Sequence, residues 1–174
     1  MASCTSTGEQ HERVLAPFRV HLAGLTASSN AAWVTQQARN LVAVLEERGR
    51  RIRFLVRDRD AKFCRGFDDV FRSEDAHVVL TPVQAPNANA YAERWIRTVR
   101  GGCLDWLLIV GRGHLEQVLR LYVEHYNRHR AHRALQLKAP DPAAELIIVD
   151  KGRDGSVHRR DVLGGLLHEY WRAA

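Results

Sequence analysis

The stretch FLVRDRDAKF, from Phe54 to Phe63, decides how this sequence is interpreted. Its apolar start, Phe-Leu-Val, favours a buried strand, whereas the Arg-Asp-Arg-Asp that follows is too highly charged to be buried. We therefore predict a strand over 51–56, with Asp58 just beyond its carboxyl end. Charges at such a position form either a solvated turn or a functional site, because open α/β sheets commonly build sites there.

Strand and helix patterns alternate along the chain on both sides of this stretch. This alternation predicts an α/β fold, in which strands share a sheet and helices pack against it. In chain order, the predicted elements are a strand over 18–26, a helix ending at Gly49, a strand over 51–56, a helix over 67–72, a strand over 77–82, a helix from about Asn89, and a helix over 114–132. Gly101 and Gly102 should weaken the helix that begins near Asn89.

The ends of the chain carry weaker patterns. Residues 1–17 are small and polar and are expected to be loose. Residues 140–174 are expected to form a tail with a strand, a glycine turn and a short terminal helix. The central part, 18–139, then remains as the one folded core.

Composition narrows the class of protein. The 174 residues carry a formal charge of +6 and a pI near 9.7, which favours an anionic partner such as nucleic acid. Three widely spaced cysteines, Cys4, Cys64 and Cys103, offer neither a disulfide framework nor a zinc site, so a reducing cytoplasm is expected. The sequence has no apolar run long enough for a membrane span and no signal-peptide core at its start.

Two carboxylates are the candidate metal ligands. Asp58 follows a predicted strand, Glu93 opens a predicted helix, and 34 residues separate them. Oxygen ligands of this kind hold Mg²⁺, and two such ions can assist phosphoryl transfer. Each residue also has a purely structural explanation, because Asp suits a turn and Glu favours the start of a helix.

Basic residues surround both carboxylates. Arg94, Arg97 and Arg100 follow Glu93 at steps of three, on one side of the predicted helix, and Lys62 follows Asp58. These four side chains are the candidates for contacts with DNA phosphates. The alternative is a solvated basic face with scattered ion pairs.

Other chemistry-bearing residues have weaker support. His125, His129 and His132 share a predicted helix face but lack a fourth metal ligand, so we expect no metal there. Cys64 has no activating base assigned by the sequence and is expected to be a small packing residue.

Four motifs together resemble the core of bacterial insertion-sequence transposases and retroviral-type integrases, the DDE superfamily. They are RDRDAKF, TPVQAPNANAYAERWIRTVR, CLDW and YNRHRAHRAL, within a resemblance that runs from about Arg19 to Ala139. The resemblance implies an RNase H-like fold and the joining of DNA ends to a target by three carboxylates with Mg²⁺ or Mn²⁺. It also implies a DNA-associated cytoplasmic protein that forms homo-oligomers at full length. Asp58 aligns with the second carboxylate of the family and Glu93 with the third.

The first carboxylate of the family has no counterpart, because no aspartate precedes Asp58. By this alignment, the first strand and most of the second are missing, so we expect an incomplete, N-terminally truncated core with impaired strand transfer. A non-catalytic DNA-binding remnant and a product without function are the alternatives. Replacement of the missing ligand by Glu9 or Glu12 also stays open.

Overall fold

The computed structural model describes residues 19–83, 90–142 and 156–172, excluding the side chains of Tyr91 and Arg172. The chain divides into two compact units. Within the described residues, one unit comprises Ala23–Arg97, and the other comprises 19–22 with 98–172. The predicted loose segment 1–17 and the predicted strand after Pro140 lie largely outside the described residues.

Helix α1 (Ala31–Glu47) and helix α2 (Arg65–Arg72) pack together in the first unit. Asn30 caps α1, because its Oδ1 accepts a hydrogen bond from the Trp33 backbone N–H at 2.8 Å. After the helix, Gly49 adopts a φ of +64°, a conformation that favours glycine. The buried core of this unit comprises Val34, Ala38, Leu55, Phe67, Phe71 and Ala76.

Strands β1 (Phe54–Arg57) and β2 (His77–Leu80) pair in parallel, from Phe54 opposite His77 to Arg57 opposite Leu80. Both strands therefore end at the same edge, where the Thr81 N–H donates to the Arg57 carbonyl at 2.9 Å. The predicted strands at 51–56 and 77–82 are confirmed, although the first begins three residues later than expected. The mixed helix and strand content of the α/β prediction is confirmed as well.

Helix α3 (Ala90–Gly102) continues through both of its terminal glycines, which were expected to weaken it. Gly102 is needed for packing, because a Cβ atom there would lie 2.8 Å from the Tyr122 hydroxyl oxygen. The same hydroxyl donates to the Thr98 carbonyl at 3.1 Å. Tyr122 belongs to helix α4 (Gly111–Arg128), so the missing side chain lets the two helices approach closely.

The predicted strand over 18–26 is wrong for its described residues, because 19–26 form no strand. Val20 instead bonds to a side chain: its N–H donates to Asn127 Oδ1 at 2.9 Å, and its carbonyl accepts from Asn127 Nδ2 at 2.8 Å. One amide side chain thus satisfies both backbone groups that a neighbouring strand would otherwise bond. The predicted helix over 114–132 is shorter at its end, since α4 stops at Arg128.

The predicted terminal helix is also wrong. Residues of this tail form strands β3 (Val157–Val162) and β4 (Leu167–Arg172), which pair as an antiparallel hairpin. The connecting turn includes Leu163, Gly164 and Gly165, all with positive φ. Glycine adopts positive φ without strain, and aromatic residues such as Tyr170 and Trp171 suit a strand, which explains why a hairpin replaces the helix.

Candidate metal and nucleic-acid site after strand β1

Asp58 lies directly beyond β1 and is half-buried. Its Oδ1 accepts a hydrogen bond from the Asp60 N–H at 3.1 Å, and Asp60 Oδ1 accepts from the Lys62 N–H at 3.0 Å. Two successive side-chain-to-backbone bonds therefore hold the loop that follows the strand. Within the described residues, the second carboxylate oxygen of Asp58 takes no hydrogen bond.

A buried arginine fork fixes the backbone at the same point. Arg57 Nε and Nη2 donate to the two carboxylate oxygens of Asp68 at 2.6 and 2.7 Å, and the Arg57 and Asp68 side chains are only 11% and 9% exposed. The hydrogen bond to Asp68 is the main reason that the pKa of Arg57 is raised. Arg57 Nη1 also donates to the Asp58 carbonyl at 2.8 Å. The strand end is thereby tied to α2.

Sequence reasoning missed this fork, since Arg57 was one of several arginines in a basic run. A usable signal was present, because Asp68 stands between aromatic residues in the first turn of a short helix. A second arginine acts similarly: Arg59 Nε donates to the Thr81 carbonyl at 3.1 Å and joins the segments that follow β1 and β2.

Lys62, a predicted DNA contact, already has an anionic partner. Its Nζ lies 2.8 Å from Asp60 Oδ2, and that hydrogen bond is the main reason that the pKa of Lys62 is raised. The ammonium group also lies 5.7 Å from the centre of the Phe63 ring. Asp60 therefore compensates part of the charge that Lys62 could offer to a phosphate.

Glu93 lies in the first turn of α3 and is exposed. Arg94 and Arg97 on the same helix are exposed too, and Arg100 lies 3.6 Å from Asp105 in an exposed ion pair. Residues 84–89, which lead into this helix, lie outside the described residues. The helix thus carries one carboxylate and three guanidinium groups between Glu93 and Arg100, over about two turns.

The donor groups suit a hard cation. Asp58 offers a half-buried carboxylate with one oxygen outside the hydrogen-bond network of the described residues, and Glu93 offers an exposed one. The guanidinium of the preceding residue, Arg57, is directed to Asp68 and to the backbone carbonyl of Asp58. Carboxylate oxygens of this kind are the ligands that Mg²⁺ prefers. Among the described residues, no group of three or more His, Cys, Asp or Glu could hold a metal ion.

The three helix-pattern histidines separate in the structure. His125 and His129 face Glu169 of β4, whereas His132 lies beyond α4 with its ring edge-on to Tyr126 at 4.7 Å. Cys64 occupies the cap position of α2, and its Sγ lies 3.8 Å from Thr35 Oγ1. Hydrogen bonds from the Phe67 backbone and from Thr35 lower the pKa of the Cys64 thiol.

Comparison with known proteins assigns part of the chain. The family model of the integrase core domain matches residues 75–140, which include β2, α3 and α4. No curated protein and no solved structure matches the chain. None of the described helices is long and apolar enough to cross a membrane. An integrase core domain implies action on DNA, in integration or transposition, and such domains generally depend on a divalent metal. The match over residues 75–140 therefore supports an integrase core domain of the DDE type, the superfamily that the sequence motifs resemble.

Proposed function

We propose that the chain binds DNA and holds a divalent cation, Mg²⁺ or Mn²⁺, at Asp58 and Glu93 for phosphoryl transfer between DNA strands. One observation carries the proposal. The Asp58 carboxylate stands at the carboxyl end of a parallel strand whose backbone is fixed by the buried Arg57–Asp68 fork. A preorganised ligand of this kind is what phosphoryl transfer requires, since its catalysis depends mainly on positioning and electrostatics.

Each residue has a distinct part in this function. Asp58 supplies the rigid oxygen ligand, and Glu93 supplies a second ligand from the first turn of α3. When bound, a divalent cation neutralises charge on the attacking and leaving oxygens. The parallel strands and their helices form part of the RNase H-like frame that we propose for residues 18–139, with residues 140–174 as an appended tail.

The arginines of α3 supply the DNA contacts in this proposal. Arg94 and Arg97 are exposed beside Glu93, and the net charge of +6 favours a phosphate backbone. Arg100 contributes from the last turn of α3. We expect less from Lys62 because Asp60 already binds its ammonium group at 2.8 Å. Phosphate contacts carry no base information, so the binding is expected to be independent of DNA sequence.

The absence of any aspartate before Asp58 favours a second candidate function. With only two of the three family carboxylates matched, we propose that strand transfer by this chain alone is impaired. A non-catalytic DNA-binding protein would keep the contacts of α3 and lose the cation. The two candidates therefore differ in cation binding and agree in DNA binding.

Cation binding is tested by adding Mn²⁺ and measuring paramagnetic broadening of backbone amide signals by NMR. We expect broadening centred on Asp58 and Glu93 and its loss in Asp58→Asn. The matched control is Asp60→Asn, because Asp60 carries the same charge two residues away but is paired with Lys62. Equal broadening in wild type and Asp58→Asn would rule out the cation site and leave the non-catalytic candidate.

DNA binding is tested by fluorescence anisotropy of a labelled duplex over a salt series. Arg97→Ala should weaken binding to all sequences alike and reduce the salt slope by about 1, as expected for one lost phosphate contact. Arg39→Ala is the control, since it removes the same charge from the exposed side of α1. A salt response that is identical in the two variants would show that only net charge matters.

A further inference from the structure

The carboxylate of Glu169 is buried in the second unit, with its side chain only 3% exposed. Arg160 stands directly opposite on β3 and donates to Glu169 Oε2 from Nε at 2.9 Å and from Nη2. This pair lies on the face of the hairpin that is directed at α4. The opposite face carries the Asp161–His168 pair, 2.8 Å apart and exposed.

His125 of α4 and His129, the residue that follows its end, approach the same carboxylate. His125 Nδ1 lies 3.3 Å from Glu169 Oε1, and His129 Nε2 lies 3.6 Å from Glu169 Oε2. They are one helical turn apart, and their rings stack with centroids 6.1 Å apart. The His125 and His129 side chains are 13% and 19% exposed. Glu169 is thus a polar contact between the hairpin and the end of α4.

Additional positive charge opposes protonation of this cluster. Burial lowers the pKa of His125, and the neighbouring His129 and Arg130 lower it further, against the attraction of Glu169. For Glu169, burial alone would raise the pKa, but Arg160 and the two histidines outweigh it, and the pKa ends below its usual value. The docked arrangement therefore favours an ionised Glu169 and a neutral His125.

We propose that the β3–β4 hairpin is a strap that Glu169 holds against the histidine face of α4 and that acid releases. A neutral His125 donates a hydrogen bond to the carboxylate through Nδ1–H, whereas a charged one adds a cation to a cluster that already contains Arg160. Release exposes the imidazoles of His125 and His129 to solvent.

Proton linkage determines whether docking of the hairpin strengthens or weakens as pH falls. A group whose pKa is lower in the docked state than in the free state binds protons preferentially when the strap is free. Docking is then fully stabilised above the free imidazole pKa of 6.5 and weakens as pH falls through it. The pKa of Glu169 is lowered as well, so its protonation weakens docking further as pH falls below 4.5, the usual pKa of a glutamate. At pH 5.5, a free imidazole is about nine-tenths protonated, so release is favoured by up to about tenfold relative to pH 7.5.

Hydrogen exchange measured by mass spectrometry tests this strap on the full chain. Protection factors of hairpin amides, corrected for the intrinsic pH dependence of exchange, should fall between pH 7.5 and 5.5 by up to about tenfold in the wild type. Amides of α1 serve as the internal reference and should stay protected. Unchanged protection of the hairpin across this pH range would overturn the proposal.

Three variants assign the effect to the cluster. Glu169→Gln should leave the hairpin poorly protected at both pH values, and His125→Gln should remove most of the pH step while keeping an amide partner for Glu169. Asp161→Asn is the matched control, because it neutralises an exposed carboxylate on the other face of the same hairpin. A full pH step in His125→Gln, or its loss in Asp161→Asn, would contradict the proposal even where Glu169→Gln fails to fold.

Discussion

Replacing Asp68 by alanine removes the acceptor of the buried fork and leaves Arg57 charged at the end of β1. Arg57 Nε and Nη2 each lose a bond, of 2.6 and 2.7 Å, and only the bond from Nη1 to the Asp58 carbonyl remains among those described above. Because both side chains are about nine-tenths buried, water cannot fully replace the missing carboxylate.

The burial of Arg57 and Asp68 determines how much unfolding free energy the Asp68→Ala substitution should remove. Breaking a buried ion pair by removing one partner typically costs about 3–5 kcal/mol, and hydrogen bonds to charged groups contribute about 1.5–3 kcal/mol each. The fork retains some exposure, so we expect about 3 kcal/mol, near the lower end of the first range. Asp69 provides the matched control, since it is adjacent in α2 and its ion pairs with Arg65 and Arg72 are exposed. Asp69→Ala should cost less than about 1 kcal/mol.

Urea unfolding followed by circular dichroism measures both variants. A double variant, Arg57→Met with Asp68→Leu, should be less destabilised than Asp68→Ala, because it removes the uncompensated charge as well as the pair. Equal destabilisation by Asp68→Ala and Asp69→Ala would refute the reasoning that the fork anchors the strand end. A double variant that is destabilised by as much as Asp68→Ala, or by more, would refute it as well.

Two further predictions concern packing and cysteine chemistry. Gly102→Ala should lower the melting temperature, because its Cβ would lie 2.8 Å from the Tyr122 hydroxyl and overpacking costs about 1–3 kcal/mol. Gly101→Ala should instead raise the melting temperature, since no neighbouring atom lies within 4 Å of the added Cβ and alanine is favoured by about 1 kcal/mol in a helix. An equal change of melting temperature in both variants would contradict the close approach of Gly102 to Tyr122. Cys64, whose pKa is lowered, should react with iodoacetamide well before Cys103, which is fully buried and has a pKa raised by burial. Peptide mass spectrometry over time, from pH 7 to 9, measures the order of modification, and earlier labelling of Cys103 would contradict it.

Local patterns predicted the first unit well. The apolar run before Arg57 and the run after His77 became paired strands, because each carries enough β-branched and aromatic residues to favour a strand. The charged end of β1 was also placed correctly beside Asp58. Its partner, Asp68, could not be predicted, because a bidentate contact depends on how α2 packs and not on sequence spacing alone.

Long-range contacts explain the errors. The segment around Val20 alternates like a strand, but its backbone bonds are made by one side chain 107 positions away. The end of the chain was predicted to be a short helix. Leu167, Glu169 and Trp171 nevertheless occupy every second position, as residues on one face of a strand do. Glu169 on that alternating face meets histidines of another helix, and no local pattern in the tail identifies them.

The Asn127 amide that satisfies both backbone groups of Val20 also sets an order of events during synthesis. The backbone carbonyl of Asn127 accepts a hydrogen bond from the Asp141 N–H at 2.8 Å. Oδ2 of Asp141 in turn lies 2.8 Å from Nη1 of Arg19. Residues 19–22 emerge early from the ribosome, yet their partner follows 107 residues later. At about 5–20 residues per second, this early segment waits roughly 5–20 s for its attachment point. Attachment of residues 19–22 to the second unit therefore follows the synthesis of Asn127, when α1, β1, α2 and β2 have already had time to assemble.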